Sequence, residues 1–170
     1  MSDNSSPIRA PEVLVVDDTR IWRDINQRRL SKRGYMVSTA TDSYNAIHQL
    51  AGRIHHSSPL PDIYLSDMLD RKNIIAKISV GNEMKSIWSS MAFNIHNYLK
   101  SQGITPKFFV GMTADICSED KATALELGIP LINKDPDNFD RLFPDLSTLP
   151  LEERMNFFEG NWTNIIGIKK

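Results

Sequence analysis

The segment Val13–Asp18, with the sequence VLVVDD, decides the fold, because four apolar residues end at once in two carboxylates. A run of this length and β-branched character is typical of a strand buried on both faces of a parallel sheet. Two further runs end in a charge: Ile63–Ser66 is followed by Asp67, and Leu131–Asn133 by Lys134. The carboxyl ends of parallel strands share one edge, where ligands bind. We therefore expect three carboxylates and one lysine to converge there.

Strand and helix patterns alternate along the rest of the chain. The predicted strands are Val13–Asp17, Tyr35–Ala40, Ile63–Ser66, Lys107–Met112 and Pro130–Asn133. Six helices are predicted between and after these strands. The first contains Ile21, Ile25 and Leu30, the second spans Ser43–Gly52, and the third runs through Ile87, Met91, Ile95 and Leu99. The fourth spans Glu119–Leu127, and two short helices follow around Phe139–Phe143 and Leu151–Phe158. The polar stretch from Asp70 to about Glu83 matches neither pattern. This alternation predicts a parallel α/β sheet with right-handed crossovers.

Composition excludes several classes of function. The chain has 170 residues, a net charge of -1 and 41% hydrophobic residues, which fits one globular domain and argues against a general binder of nucleic acids. The single cysteine, Cys117, cannot form an internal disulfide, and no apolar run is long enough to span a membrane. No Gly-rich phosphate loop occurs. We expect a cytoplasmic protein without a membrane span.

The predicted cluster of carboxylates needs a cation. Two carboxylates about 4 Å apart repel each other by roughly 4 kcal/mol at an effective dielectric constant near 20. Bringing Asp17, Asp18 and Asp67 together is therefore costly unless a metal ion neutralises them, and oxygen ligands of this kind suit Mg²⁺. An aspartate beside such an ion can attack phosphorus and form an aspartyl-phosphate. The residues alone thus indicate a site for a cation and a phosphoryl group.

The chain resembles the receiver domains of two-component response regulators. The resemblance is carried by Val13–Asp18, Gly34–Val37 with Ala40 and Ala46, Pro61–Met68, Val110–Ala114, and Ala124–Gly128 with Lys134. These segments occur in the family's order and cover about residues 11–143. The resemblance implies a doubly wound, flavodoxin-like (βα)5 fold whose five parallel strands follow the order 2-1-3-4-5.

The resemblance also implies a role for each residue of the site. Asp67 resembles the phosphoacceptor, Asp18 the direct ligand of Mg²⁺, and Asp17 a ligand that acts mainly through water. The backbone carbonyl of Leu69 would complete the protein's share of the metal shell. Thr113 resembles the hydroxyl that bonds a phosphoryl oxygen, and Lys134 the ammonium that pairs with the phosphate.

Three features depart from the family pattern. The chain is longer than usual between Asp67 and Thr113, which predicts an insertion at about 71–90 within a receiver domain at 11–143. Leu131 stands where the family often has an aromatic residue that reads out the switch, and Asp135 follows Lys134 where a proline is usual. We expect residues 1–10 to form a flexible tail and residues 144–170 a C-terminal extension.

The resulting hypothesis is a receiver that takes a phosphoryl group on Asp67, with Mg²⁺, from a sensor histidine kinase or a histidine phosphotransfer protein. Its output would pass to an unknown protein partner, and any enzymatic character would be limited to self-phosphorylation and weak autophosphatase activity. The alternative is a receiver-like interaction module that phosphate no longer switches. A phosphatase of the haloacid dehalogenase type ranks third, since the chain lacks that family's Asp-x-Asp pair. The basic residues between Arg20 and Arg33 either attract an acidic partner or form a solvated helix face.

Overall fold

A computed structural model of the chain describes residues 8–80, 83–114 and 116–166, with the backbone alone over 70–89 and at 166. Five parallel strands form the central sheet in the order β2-β1-β3-β6-β7. They are β1 (Glu12–Val16), β2 (Met36–Ala40), β3 (Ile63–Asp67), β6 (Phe108–Thr113) and β7 (Leu131–Asn133). Since β4 and β5 form a separate pair, this is the predicted order 2-1-3-4-5. The predicted fold class is confirmed.

The three central strands are buried because both sheet faces are covered. Every residue of β1, β3 and β6 is buried. Alternate residues of β1 point to opposite faces: Val13 and Val15 belong to one apolar cluster, and Leu14 and Val16 to the other. The near-continuous apolar sequence of these strands follows directly from this double coverage.

Among the described residues, six helices cover the sheet, and the inner side of the first does not follow the apolar spacing in its sequence. They are α1 (Arg20–Lys32), α2 (Ser43–His55), α3 (Met91–Ser101), α4 (Ser118–Leu127), α5 (Pro136–Leu142) and α6 (Leu151–Ile166). The predicted helix rested on the roughly helical spacing of Ile21, Ile25 and Leu30. In the structure Ile21 is 68% exposed, whereas Asn26 and Leu30 are buried. The i, i+4, i+8 series through Trp22 forms the inner side.

The predicted insertion contains an antiparallel hairpin. Strand β4 (Leu69–Val80) continues almost directly from β3 and pairs with β5 (Glu83–Ser90). The prediction of a helix through Ile87 is therefore wrong. Helix α3 begins at Met91, where the Ser90 hydroxyl accepts a hydrogen bond from the Phe93 backbone N–H at 3.2 Å and caps the helix. Residues 81–82, and residues 1–7 of the tail predicted at 1–10, lie outside the described residues.

The C-terminal segment packs onto the α1 face of the sheet. Helix α5 has only 7 residues, and α6 brings the buried rings of Phe158 and Trp162 against Phe108. Gly34 lets the C-terminal segment approach closely, because no side chain fits at this position. Its φ is +86°, and an added Cβ would lie 3.0 Å from the Ser147 backbone nitrogen. Arg154 donates a 3.0 Å hydrogen bond to the Gly34 carbonyl. Residues 146–166 thus complete the core that the short α5 leaves open.

Candidate functional site

The turn after β1 holds the first two carboxylates. Asp17 is fully buried, and its Oδ1 accepts a hydrogen bond of 2.8 Å from the Thr19 backbone N–H. Asp18 is half-buried, and its Oδ1 accepts a bond of 3.2 Å from the Thr19 hydroxyl. Arg23, one turn into α1, donates to the Asp17 carbonyl at 2.6 Å. Short local bonds of this kind hold both side chains at the sheet edge.

Asp67 and Lys134 reach the same point from the ends of β3 and β7. Lys134 Nζ lies 2.8 Å from Asp67 Oδ2 and 2.6 Å from Asp17 Oδ2. One carboxylate oxygen from each of Asp17, Asp18 and Asp67 lies within 4.8 Å of the others. The Lys134 side chain is only 7% exposed. Among the described residues, one ammonium therefore contacts this group of three carboxylates, whose formal negative charges exceed its charge by two.

Burial and this surplus shift the ionisation of the central pair. Burial raises the pKa of Asp67 to about 6, although the Lys134 ammonium opposes the shift and the Asp17 charge adds to it. Burial also disfavours the charged form of Lys134, but the Asp67 and Asp17 carboxylates outweigh it and raise the pKa of the amine. The amine is therefore a fixed cation, whereas Asp67 is a poorly compensated anion at neutral pH. Such a carboxylate gains free energy from any additional cation.

A pocket of about 280 Å³ opens beside Asp67. Thr113 ends β6 on its wall, and the Thr113 carbonyl accepts a 2.8 Å hydrogen bond from the Lys134 backbone N–H. Leu69 lines the pocket with its backbone N–H 3.5 Å from Asp67 Oδ1, and Ala114 leaves the space open. The structure thus brings together all six residues assigned to the site from the sequence: Asp17, Asp18, Asp67, Leu69, Thr113 and Lys134.

Four pocket residues were not predicted: Thr19, Trp22, Cys117 and Asp120. Thr19 and Trp22 follow Asp18 within one helical turn. Once α1 is known to start at the site, both residues are therefore expected to lie beside it. Cys117 caps α4, with its Sγ 3.5 Å from the Asp120 backbone nitrogen. No feature of the sequence alone distinguishes these residues from an ordinary helix start.

Two departures from the family pattern have local structural causes. The Asp135 carboxylate accepts a 2.7 Å hydrogen bond from the Asp137 backbone N–H and so caps α5. Leu131 lies in the apolar packing with Met68, and both would meet a Cβ at Gly111. Asp135 is thus engaged at the helix start, and no aromatic ring occupies position 131.

The basic residues of α1 are partly engaged within the fold. Arg29 and Arg33 each lie 2.9 Å from Asp140 Oδ1 on α5, and Arg33 also donates to the Phe143 carbonyl. Arg23 bonds the Asp17 carbonyl. These contacts tie α1 to α5 and to the site, so the basic stretch is in part structural.

The donor set fits a hard divalent cation. Three carboxylates supply oxygen ligands, and Mg²⁺ is bound in proteins by one or two carboxylates together with water and phosphate oxygens. Asp17 Oδ2 pairs with the ammonium by distance but accepts no well-directed hydrogen bond, although it is buried. A buried oxygen with unused lone pairs at the edge of a pocket can accept a metal-bound water or the ion itself.

Comparison with known proteins supports the fold but not a narrower identity. No family model and no curated protein sequence matches the chain. Among solved structures, 219 chains match. The chemotaxis protein CheY4 of Vibrio cholerae has 16% identity and a TM-score of 0.54, over 89% of this chain and 98% of its own.

Two further matches come from other organisms. A receiver domain of the CheY-like kind from Methanospirillum hungatei has 16% identity and a TM-score of 0.54, over 91% of this chain and 98% of its own. The receiver domain of a histidine kinase from Arabidopsis thaliana has 21% identity and a TM-score of 0.54, over 90% and 92%. Identities this low establish the fold alone. Within the described ranges, no helix has both the length and the hydropathy needed to cross a bilayer.

Proposed function

We propose that this chain, which has the fold of response-regulator receiver domains, accepts a phosphoryl group on Asp67 in a Mg²⁺-dependent phosphorelay and signals through protein contacts. One observation carries the proposal above the others. Asp67 lies at the wall of an open pocket, among two further carboxylates and one buried ammonium. The fold alone would not require this arrangement, because receiver-like sheets can serve as plain interaction modules.

The residues divide the chemistry as follows. An oxygen of Asp67 attacks the phosphorus of a phosphohistidine on a kinase or phosphotransfer protein. The P–N bond breaks, and the imidazole leaves with its electron pair and takes a proton from solvent. The Lys134 ammonium then pairs with the new phosphoryl oxygens, and the Thr113 hydroxyl donates to one of them. Positioning and charge neutralisation supply most of the rate in phosphoryl transfer.

Asp17, Asp18 and Asp67, with the Leu69 carbonyl, would hold the Mg²⁺. The bound ion supplies charge neutralisation, so that an anionic donor can approach an anionic nucleophile. Hydrogen bonds from Thr19 already hold both carboxylates in place: its backbone N–H donates to Asp17 at 2.8 Å, and its hydroxyl donates to Asp18 at 3.2 Å. Little rearrangement of the chain is then required on metal binding, which favours affinity.

Phosphorylation would change the local charge enough to be read by a partner. A phosphoryl group adds about -1.5 to -2 charges at neutral pH. Thr113 and Lys134 end the two strands that lead to α4 and α5, so a shift of either side chain changes the surface beside them. The output partner would then bind one charge state better than the other. We expect such a relay to operate in the cytoplasm.

The direct test is phosphoryl transfer from a small donor. The purified chain is incubated with Mg²⁺ and acetyl phosphate, and its intact mass is followed. We expect one added phosphoryl group that requires Mg²⁺ and is absent in Asp67→Asn. Asp24→Asn is the matched control, since Asp24 is an exposed partner of Arg20 at 3.6 Å on α1.

Beryllofluoride gives a second readout that does not depend on the transfer rate. With Mg²⁺ it should shift the amide resonances around Thr113 and Lys134 in the wild type and in Asp24→Asn, but not in Asp67→Asn. A chain that shows neither the adduct nor the shifts would contradict the proposal. It would then be the alternative interaction module, which keeps the fold without the phosphate switch.

A further inference from the structure

Trp22 lies over the ammonium on which the proposed phosphorylation depends. Its ring centroid is 5.7 Å from Lys134 Nζ, within the range in which the face of an indole attracts a cation. The ammonium also contacts Asp17 at 2.6 Å and Asp67 at 2.8 Å. Lys134 is therefore held by two carboxylates and one aromatic face.

The same turn that places Asp17 also places this ring. Thr19 is the N-cap residue of α1 and donates its backbone N–H to Asp17 Oδ1 at 2.8 Å. Trp22 follows three residues later, in the first turn of the helix. The distance between the ring and the acidic cluster is thus set by local backbone structure rather than by a flexible loop.

The aromatic contact differs from the two ionic contacts in what phosphorylation does to it. When an Asp67 oxygen is bonded to phosphorus, that carboxylate loses its charge, and Lys134 must turn toward the phosphoryl oxygens. The Trp22 face is neutral and takes no part in the reaction. It can hold the long, flexible lysine side chain near the site before and after transfer, when the carboxylate contacts change.

Trp22 borders two openings in the structure. It lines the pocket beside Asp67, and it lines a smaller cleft with Asn26, Met112 and Phe139. Lys134 borders both.

We infer that Trp22 is a positioning residue, which keeps the Lys134 ammonium at the acceptor carboxylate and thereby sets the rate of phosphoryl transfer to Asp67. This inference rests on the function proposed above. Trp22 forms no bond to the phosphoryl group: the bond made is between Asp67 oxygen and phosphorus, and the donor leaves with the electron pair of the bond that breaks. Trp22 acts only through the lysine.

Two substitutions of Trp22 distinguish an effect of its aromatic face from an effect of its size. The initial rate of labelling by acetyl phosphate with Mg²⁺ is measured for Trp22→Phe and Trp22→Leu. We expect the leucine variant to be slower by about 3- to 10-fold and the phenylalanine variant to stay within about twofold of the wild type. Circular dichroism and denaturant unfolding of both variants check that each is folded.

A double-mutant cycle tests whether Trp22 acts through Lys134. Beryllofluoride affinity is measured for the wild type, Trp22→Leu, Lys134→Ala and the double variant, because binding stays measurable where transfer is slow. Trp22→Leu should weaken binding in the wild type but add no further loss when Lys134 is already alanine.

Three outcomes would overturn the inference while the proposed function stands: a leucine variant as fast as the wild type, a phenylalanine variant as slow as the leucine variant, or additive losses in the cycle. If the wild type itself takes neither phosphoryl nor beryllofluoride at Asp67, the proposed function fails and the inference fails with it.

Discussion

The two ends of the sheet both contain buried carboxylates, but only one end neutralises them. At the amino end, Glu12 is 7% exposed and Arg53 donates to both of its oxygens, at 2.8 and 2.5 Å. Asp62 close by pairs with Arg9 at 2.9 Å. At the carboxyl end, Asp67 is also 7% exposed but shares a single ammonium with Asp17. The two carboxylates are thus equally exposed to solvent, but their charges are compensated unequally.

The ionisation of the two carboxyls follows this difference. Burial alone would raise the pKa of Glu12, but the hydrogen bonds and charge of Arg53 outweigh it, and the pKa lies below its usual value. Burial raises the pKa of Asp67 to about 6, since the shared lysine compensates it only in part. Glu12 is thus a structural anion with its own cation. Asp67 is kept short of positive charge, which favours the binding of an additional cation beside it.

Breaking the Glu12–Arg53 pair at the amino end of the sheet should change the free energy of unfolding most. In Arg53→Ala the buried Glu12 loses its nearest cation and keeps Arg9 at 3.9 Å, and we expect the free energy of unfolding to fall by about 2–4 kcal/mol, because a buried charge that loses its directly bonded partner is strongly unfavourable. Urea denaturation at pH 7 measures this. Arg20→Ala breaks an exposed pair with Asp24 and should cost less than about 0.5 kcal/mol. Equal losses in both variants would contradict the assignment of Glu12–Arg53 as a buried pair.

Removing the charge of Asp67, at the carboxyl end of the sheet, should instead raise the free energy of unfolding. The pKa of Asp67 rises from 3.8 to about 6 on folding, so its stabilising contribution is complete below 3.8 and is lost as the pH passes 6. In metal-free buffer at pH 7.5, Asp67→Asn should therefore be more stable than the wild type by about 1–3 kcal/mol. The gain should shrink between pH 7 and pH 5, where the wild-type carboxyl takes up a proton. A variant less stable than the wild type at pH 7.5 would refute this.

The smallest effect concerns the residue next to the shared lysine. The Asp135 carboxylate caps α5, so Asp135→Ala should lower the free energy of unfolding by about 1 kcal/mol, and Asp135→Asn by much less. Labelling of Asp67 by acetyl phosphate should stay within about twofold in both variants, because the side chain is engaged at the helix rather than at the ammonium. A large change in labelling with unchanged stability would mean that Asp135 acts on Lys134.

The sheet was predictable because its signals are local. The apolar runs of β1, β3 and β6 are buried on both faces, and such runs differ from amphipathic helices in the sequence itself. Helix α1 shows the limit of this reasoning. Ile21 and Ile25 have helical spacing, yet they are 68% and 37% exposed, while the polar Asn26 is turned inward. The inner face of that helix depends on what the sheet and α5 present to it.

The insertion and the C-terminus were less predictable for the same reason. The stretch from Ile87 to Leu99 has helical spacing throughout, but its first part pairs with β4 through backbone hydrogen bonds, which spacing does not encode. Phe158 and Trp162 lie in the core because α5 is short. That requirement comes from the shape of the whole sheet face.

The sequence by itself determined the parallel sheet and the gathering of Asp17, Asp18, Asp67 and Lys134 at one edge, since parallel strands end at a common edge, whereas the strand order followed from the resemblance to receiver domains. Only the tertiary structure decided that one ammonium serves two of the carboxylates, that Trp22 lies over it, and that a pocket opens beside Asp67. Strand ends follow from local patterns of burial. Side-chain distances of a few ångströms depend on how separate helices pack, and no single stretch of sequence contains that information.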